Sequence, residues 1–206
     1  MPCIIDISMP IHPGMPVYKN KPEKRPHFET TSDFPADGAH ETRIAMDAHT
    51  GTHVDAPLHM LPGGAASESI ALERLVRPCR VLDLRAAGGA LRSADLAPFA
   101  PQPGEFLLLK TANSLDEQFN PEFSFLAEDG ARLLADCRIA GVGIDALGIE
   151  RAQPGHPTHK ILFAAGIVIV EGLRLARVEP GSYMLAVAPL ALLGSDAAPA
   201  RAFLWR

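Results

Sequence analysis

The segment Asp47-Ala-His-Thr-Gly-Thr-His-Val-Asp-Ala-Pro-Leu-His59 carries four groups able to bind a metal ion or move a proton. His49, His53, Asp55 and His59 fall within eleven residues, in a chain that has 8 histidines among 206 residues. The spacing of His49 and His53 fits one face of a helix, as in the two-histidine zinc motif of metalloproteases. Gly51, the two threonines beside it and Pro57 oppose a helix, and Thr50 stands where such a protease carries its catalytic glutamate. An extended chain is the better reading, with a strand running into His49 and with His53 and Asp55, two residues apart, on one face. At ~3.3 Å per residue a fully extended run would separate His49 from His53 by ~13 Å, too far for two ligands that each approach one ion to ~2.1 Å. The chain must therefore turn between them, and Gly51 permits that turn. Two imidazoles and a carboxylate form a mixed N/O set suited to Zn²⁺, Mn²⁺ or Fe²⁺, and three protein ligands leave positions open for water or substrate.

A second cluster, Gln153-Pro-Gly-His156-Pro-Thr-His159, precedes the apolar run Ile161–Val170, which ends in Glu171. A strand leaving the core and ending in Val170-Glu171-Gly172 would present an acid at the mouth of a site. Taken alone, the loop histidines and the glutamate read more simply as a solvated turn and a salt-bridge partner.

The elements that must hold these groups are short. The 19 prolines and 17 glycines lie between apolar runs, which favours many strands and turns over a helical bundle. Strands are expected near Cys3–Ser8, Glu41–His49, Arg80–Leu84, Glu105–Lys110, Ala140–Asp145, Ile167–Glu171, Tyr183–Leu190 and Arg201–Trp205. Helices are expected over Ala127–Ile139, where Leu133, Leu134 and Cys137 share helical spacing, and from Pro157 through His159 to about Ala165. Pro10–Pro35 reads as a long surface loop. The class is α/β, in one domain spanning residues 1–206 without linker or repeat.

With 19 Lys+Arg against 24 Asp+Glu the formal charge is −5, which argues against a general nucleic-acid binder. The longest uncharged stretch, Pro180–Ser195, and the apolar run Ile161–Val170 are both shorter than the ~18 to 20 residues a membrane span needs. The N-terminus has no basic region and meets Asp6, unlike a secretory signal. Cys3, Cys79 and Cys137 are odd in number and each has apolar neighbours, so they read as buried free thiols in a reducing cytoplasm. A structural zinc domain is disfavoured, since such sites are usually cysteine-rich and closed.

His49-Thr-Gly-Thr-His-Val-Asp-Ala-Pro-Leu-His59 resembles the signature of the metal-dependent cyclase family, which includes bacterial kynurenine formamidases (arylformamidases) and isatin hydrolases. The opening Asp6-Ile-Ser-Met-Pro-Ile-His-Pro-Gly-Met-Pro-Val17 is similar to the family's N-terminal strand and loop, Ile169-Val-Glu-Gly-Leu173 to its late strand, and Gly194-Ser-Asp-Ala-Ala-Pro-Ala-Arg201 to its closing segment. The resemblance implies a swivelling β/β/α fold with a mixed sheet core and few helices, in homodimers or homotetramers. It implies two divalent ions per subunit, Zn²⁺ or Mn²⁺. His49, His53 and Asp55 would hold one, and Asp55 would bridge to a second held also by His159 and Glu171, with His156 the rival of His159. His59 becomes the catalytic acid/base. Two ions would lower the pKa of bound water towards ~7 and polarise a carbonyl, and His59, with an unperturbed pKa of about 6.5, would hand a proton to the departing amine.

The implied activity is amide hydrolysis, with arylformamidase (N-formylkynurenine and water to kynurenine and formate) favoured. The alternatives are a hydrolase of cyclic amides or lactones of the isatin type and, from another class, a non-catalytic metal-binding protein. Kynurenine formamidases follow the Pro-Val of the N-terminal loop with a Trp and an acidic, Gly-containing turn, where this chain has Tyr18-Lys-Asn-Lys-Pro-Glu-Lys24. Tyr18 is expected to bind substrate by stacking on an aryl group, with Phe28 and Phe34 in the same stretch. Lys19, Lys21 and Lys24 could meet a carboxylate on the substrate but read more simply as solvated, and Asp196 and Arg201 could support the site but read more simply as a surface ion pair. The expected partner is a small-molecule amide, and neither nucleic acid nor membrane.

Overall fold

Along the central strands, alternate side chains enter two different apolar clusters, and this division sets the architecture. The computed structural model of the chain describes residues 3–116 and 118–206. Its elements run β1 (Ile5–Asp6), β2 (His27–Ser32), β3 (Glu41–Ala45), β4 (His53–Asp55), β5 (Val76–Asp83), β6 (Ala90–Leu91), α1 (Ser93–Leu96), β7 (Phe106–Lys110) and β8 (Phe125–Leu126). There follow α2 (Glu128–Asp136), β9 (Gly141–Ile144), α3 (Pro157–Ala164), β10 (Val168–Glu171), β11 (Gly181–Pro189) and β12 (Ala197–Trp205).

Seven strands close a ring in the order β12-β11-β5-β7-β9-β10-β4, because β4 pairs back onto β12. β1 adds to the outer side of β12. The pairs β5–β7, β7–β9 and β9–β10 are parallel and the rest of the ring is antiparallel, so the sheet is mixed. Phe106 and Leu108 of β7, Val168 and Val170 of β10, Val54 of β4 and Leu204 of β12 share one cluster, which draws on strands around the ring and on no helix. That cluster is the barrel interior. Leu107, Leu109 and Ile169 point the other way, into a second cluster with Leu96 of α1, Leu134 of α2 and Leu162 of α3. The three helices therefore cover one outer flank, and the chain has the swivelling β/β/α fold with few helices.

Several expectations change. Pro10–Pro35 is not all loop: β2 pairs with β3 in a separate hairpin, Phe28 opposite Ile44. Its sequence His-Phe-Glu-Thr-Thr-Ser is mostly solvent-exposed and lacks the apolar alternation that marks a half-buried strand. The strand expected to reach His49 stops at Ala45, and Asp47–Gly51 is a turn closed by Thr50 N–H donating to the Asp47 carbonyl. The strand expected over Cys3–Ser8 pairs only at Ile5–Asp6, and the helix expected over Ala127–Ile139 spans Glu128–Asp136. Of the three free cysteines only Cys79 is buried, which pushes its thiol up to about 12, whereas Cys137 is half-buried and Cys3 is exposed just before β1. Among the described residues no helix is long and apolar enough to cross a membrane.

Candidate active site

β4 and β10 lie antiparallel with Glu171 opposite His53, Val170 opposite Val54 and Ile169 opposite Asp55. Val54 and Val170 fill the barrel interior, so the two-residue period of the strands turns His53, Asp55 and Glu171 together towards the helical flank. Residues directly opposed in such a pair have Cβ atoms about 5 Å apart, which brings the histidine to the acid. Just before β4 the chain turns at Gly51, with φ +66°, and just after β10 it turns at Gly172, with φ +68°. The two turns touch backbone to backbone: a Cβ on Gly172 would lie 2.2 Å from the Gly51 carbonyl oxygen. Thr52 Oγ1 clamps the contact by donating to the Gly172 carbonyl at 2.6 Å and accepting from Met9 N–H at 2.8 Å. The Gly51 turn returns His49 to the strand pair, and α3, with Pro157 in its first turn, delivers His159 from above.

Each of these three imidazoles uses one ring nitrogen for support and directs the other at the carboxylates. His49 Nε2 donates to Asp196 Oδ2 at 3.0 Å, and its Nδ1 lies 3.0 Å from Asp55 Oδ1. His53 Nδ1 donates to the Gly51 carbonyl at 2.8 Å, and its Nε2 lies 3.3 Å from Asp55 Oδ1 and 3.3 Å from Glu171 Oε2. His159 Nδ1 donates to Glu150 Oε2 at 2.7 Å, and its Nε2 lies 3.6 Å from Asp55 Oδ2 and 3.4 Å from Glu171 Oε1. A ring held in this way, N–H to an acceptor and the second nitrogen bare, is the usual posture of a metal-ligating histidine. His53 Nε2 and both Asp55 oxygens are buried without a hydrogen-bond partner among the described residues. Buried polar atoms in native proteins are satisfied, and a cation at the centre of these atoms would satisfy all three at once. The residues therefore fit a divalent metal with N/O ligands.

The charges agree. Burial opposes ionisation of Asp55, yet the imidazoles of His159, His49 and His53 hold its carboxyl well below the usual carboxylate range. Burial and the Asp55 charge oppose ionisation of Glu171, and His159 and His53 keep it low. Burial also disfavours charging of the imidazoles, but the facing carboxylates outweigh it, lifting His53 to about 10 and His159 to about 12. Without metal these two protons stand in for cations, so metal uptake must expel them. Their contribution to stability is complete below the unfolded imidazole value of about 6.5 and is lost as pH rises through about 10 and about 12. A chelated sample is therefore expected to lose thermal stability between about pH 6.5 and 10, while a metal-loaded one does not. At ~1,000 times Kd the metal adds about 4 kcal/mol, or roughly 8 to 16 °C in Tm for a chain of this size. Scanning calorimetry over that pH range checks this, and parallel curves with and without chelator would contradict it.

The tertiary structure thus brings His49, His53, Asp55, His159 and Glu171 into one cluster. His59, in a short turn begun by Pro57, stands beside them, its ring 4.2 Å from that of His49 and 5.7 Å from that of His159. Its Nδ1 is 3.4 Å from Asp196 Oδ2. Burial pushes the His59 pKa below its ordinary value. His156, the rival ligand, is exposed at the start of α3 and reaches only to 3.9 Å from Glu150. The pairing expected between Asp196 and Arg201 is corrected: Arg201 binds Asp6, and Asp196 carries His49 and His59. Glu150 has no spacing or motif that marks it in the sequence, yet it is buried and bonded to His159.

A cavity of about 320 Å³ opens over the cluster, bounded by Tyr18, Met60, Leu147, His49 and His59. Tyr18 packs edge-on against Phe119 and Phe123, with ring centres 5.5 and 6.4 Å away. Phe28 and Phe34 are not among the cavity's lining residues, while the lysines read as solvated, Lys19, Lys21 and Lys24, are. A larger groove of about 840 Å³ runs past Arg92, Arg132 and Arg151. Each of those arginines already faces an acid, Asp129, Glu128 and Glu122 respectively, and among the described residues no ligand cluster converges there.

The family described as "Putative cyclase" matches residues 5–151. A kynurenine formamidase of Salinibacter ruber is 32% identical over 204 residues, covering 98% of this chain and 96% of its own. A solved structure described as a potential metal-dependent hydrolase with cyclase activity is 54% identical, with a TM-score of 0.94 over 100% of this chain and 98% of its own. Isatin hydrolase A from Labrenzia aggregata has the same fold, with a TM-score of 0.86 at 23% identity, covering 99% of this chain and 93% of its own. By its family match, its full-length relatives and the His49–His59 segment on which the buried cluster is built, the chain belongs to the cyclase family.

Proposed function

We propose that the protein is a metal-dependent amide hydrolase acting as an arylformamidase, converting N-formylkynurenine and water to kynurenine and formate. The observation that carries this reading is the arrangement around Asp55, whose two oxygens face different partners. Oδ1 faces His49 and His53, and Oδ2 faces His159, itself beside Glu171. In this reading His49, His53 and Asp55 would hold one divalent ion, and Asp55, His159 and Glu171 another, Zn²⁺ or Mn²⁺. Bound there, the pair would acidify water and polarise the substrate carbonyl. The full-length kinship with kynurenine formamidases supports the choice of substrate.

The remaining steps belong to the chain's own side chains. Because burial depresses its pKa, His59 is neutral at pH 7 and can accept the proton of the attacking water. The Asp196 carboxylate beside Nδ1 fixes the tautomer and stabilises the imidazolium. The protonated ring then passes its proton to the amine nitrogen as the C–N bond breaks. Tyr18, backed by Phe119, offers an aromatic wall to the aryl group. The same reading includes a homodimer or homotetramer in the cytoplasm.

Elemental analysis of the purified protein paired with formate release from N-formylkynurenine tests the proposal. About two metal equivalents together with formate support it. Two equivalents without formate transfer the site to a ring-opening reaction of the isatin type, in which every carbon is retained. Full activity without metal sinks the mechanism.

A further inference from the structure

We propose that Lys19 makes the site selective for amides that also bear a carboxylate, its ammonium pairing with that anion at the cavity mouth. The inference rests on the amide-hydrolase reading and specifies the substrate class. Its starting point is backbone geometry. Lys19 and Asn20 adopt left-handed conformations in succession, with φ 59° and 52°. Residues with side chains seldom adopt that region, and where they do the surrounding structure must hold them there. Here the buried Val17 anchors the turn, its carbonyl accepting from Asn20 N–H at 2.9 Å. One result is that Tyr18 turns against Phe119 and Phe123. The other is that Lys19 doubles back, its Nζ 5.3 Å from the centre of the Tyr18 ring and on the lining of the cavity.

Three lysines reach this rim, and they are not equivalent. Lys24 is paired with Asp47 at 3.0 Å. Lys21 lies 3.9 Å from Glu23, with both groups largely in solvent. Lys19 has no carboxylate within ion-pair distance among the described residues and sits on the aromatic wall against which an aryl substrate would lie. An aryl amide bound with its carbonyl at the histidines and its ring on Tyr18 would present a ring or side-chain carboxylate to this free ammonium. A solvated lysine needs no strained backbone to reach water.

The test compares N-formylanthranilate with formanilide, which share the aryl formamide and differ by one carboxylate. Formate release by the metal-loaded enzyme gives kcat/KM for each in the wild type, Lys19→Gly, Lys19→Arg and Lys19→Glu. Glycine tolerates positive φ, so that variant keeps the turn while losing the ammonium. The preference for the carboxylated substrate is expected to fall about three- to tenfold in Lys19→Gly, through KM, as for one rim ion pair. It should fall further in Lys19→Glu, survive in Lys19→Arg, and weaken in the wild type with added salt. An unchanged ratio in Lys19→Gly overturns the proposal and leaves Lys19 as a cover for Tyr18. If neither compound yields formate, the arylformamidase reading fails by itself. Titration of anthranilate into the wild type and Lys19→Gly then decides the matter: weaker binding to the variant supports the role of Lys19, and equal binding overturns it.

Discussion

Asp55→Asn is expected to strip the protein of metal and lower kcat/KM by at least about 10³-fold, the equivalent of the several kcal/mol of charge stabilisation that bound ions supply. Both oxygens of this buried side chain face histidines, and neither has a hydrogen-bond partner among the described residues. The amide keeps the shape of the carboxylate and removes its charge, so a failure to bind metal is electrostatic and not steric. In the metal-free variant His53 and His159 lose the main anion that raises them. Their titration should therefore move back towards ordinary imidazole values. Removing one member of a buried ion pair costs about 3 to 5 kcal/mol where the partner stays charged, so the loss of Tm should be greatest at low pH, where the imidazoles cannot shed their protons. Elemental analysis with calorimetry at two pH values measures both effects. Two metal equivalents and normal turnover in the variant would place the chemistry elsewhere.

The second large effect is expected at His59. His59→Ala should lower kcat by about 10²- to 10⁴-fold, the usual worth of a positioned proton donor and acceptor, while metal content stays at the wild-type level. The ring stands 4.2 Å from that of His49 and is supported by Asp196; with His49 and Asp55 it forms a trio close enough to hold an ion, but the proposed ligand set of His49, His53, Asp55, His159 and Glu171 is complete without it. The wild-type rate is expected to fall as pH drops below about 6.5, because a protonated His59 cannot accept the proton of the attacking water and burial sets its pKa below that value. This acid limb should vanish from the residual activity of the alanine variant. Steady-state pH profiles and metal analysis separate the two roles: loss of metal in His59→Ala would make it a ligand, and an unaltered kcat would remove it from the reaction.

The sequence and the structure divide the site between them in a way that follows from how each residue is recognised. His49, His53, Asp55 and His59 stand close together around a glycine turn, and residue type plus spacing exposes them without tertiary information. Glu171 is legible as the polar end of an apolar strand. The barrel strands are legible too, since β5, β7, β9, β10, β11 and β12 are built on apolar runs. β3 lies within the strand expected over Glu41–His49, but its partner β2 is hidden, because a strand exposed along most of its length has no reason to alternate.

Asp196 illustrates the other side. An aspartate near an arginine late in a chain reads as a surface pair, and only the closing of β12 onto β4 carries it to His49 and His59. Glu150 carries no local signal, and its role appears when α3 lowers His159 onto it.

From the sequence alone come the donor types, the turn at Gly51 and the open N/O metal site they form, with the hydrolytic chemistry implied by the resemblance to the cyclase family. The antiparallel register that sets Glu171 opposite His53, the orientation of His49 by the distant Asp196, the facing of His159 onto Asp55 and Glu171, and the turn that places Lys19 on the cavity lining belong to the tertiary structure. The physical reason is that ligand identity is a property of single side chains. Which nitrogen is bare, and what it faces, depends on hydrogen bonds between segments brought together only when the barrel closes.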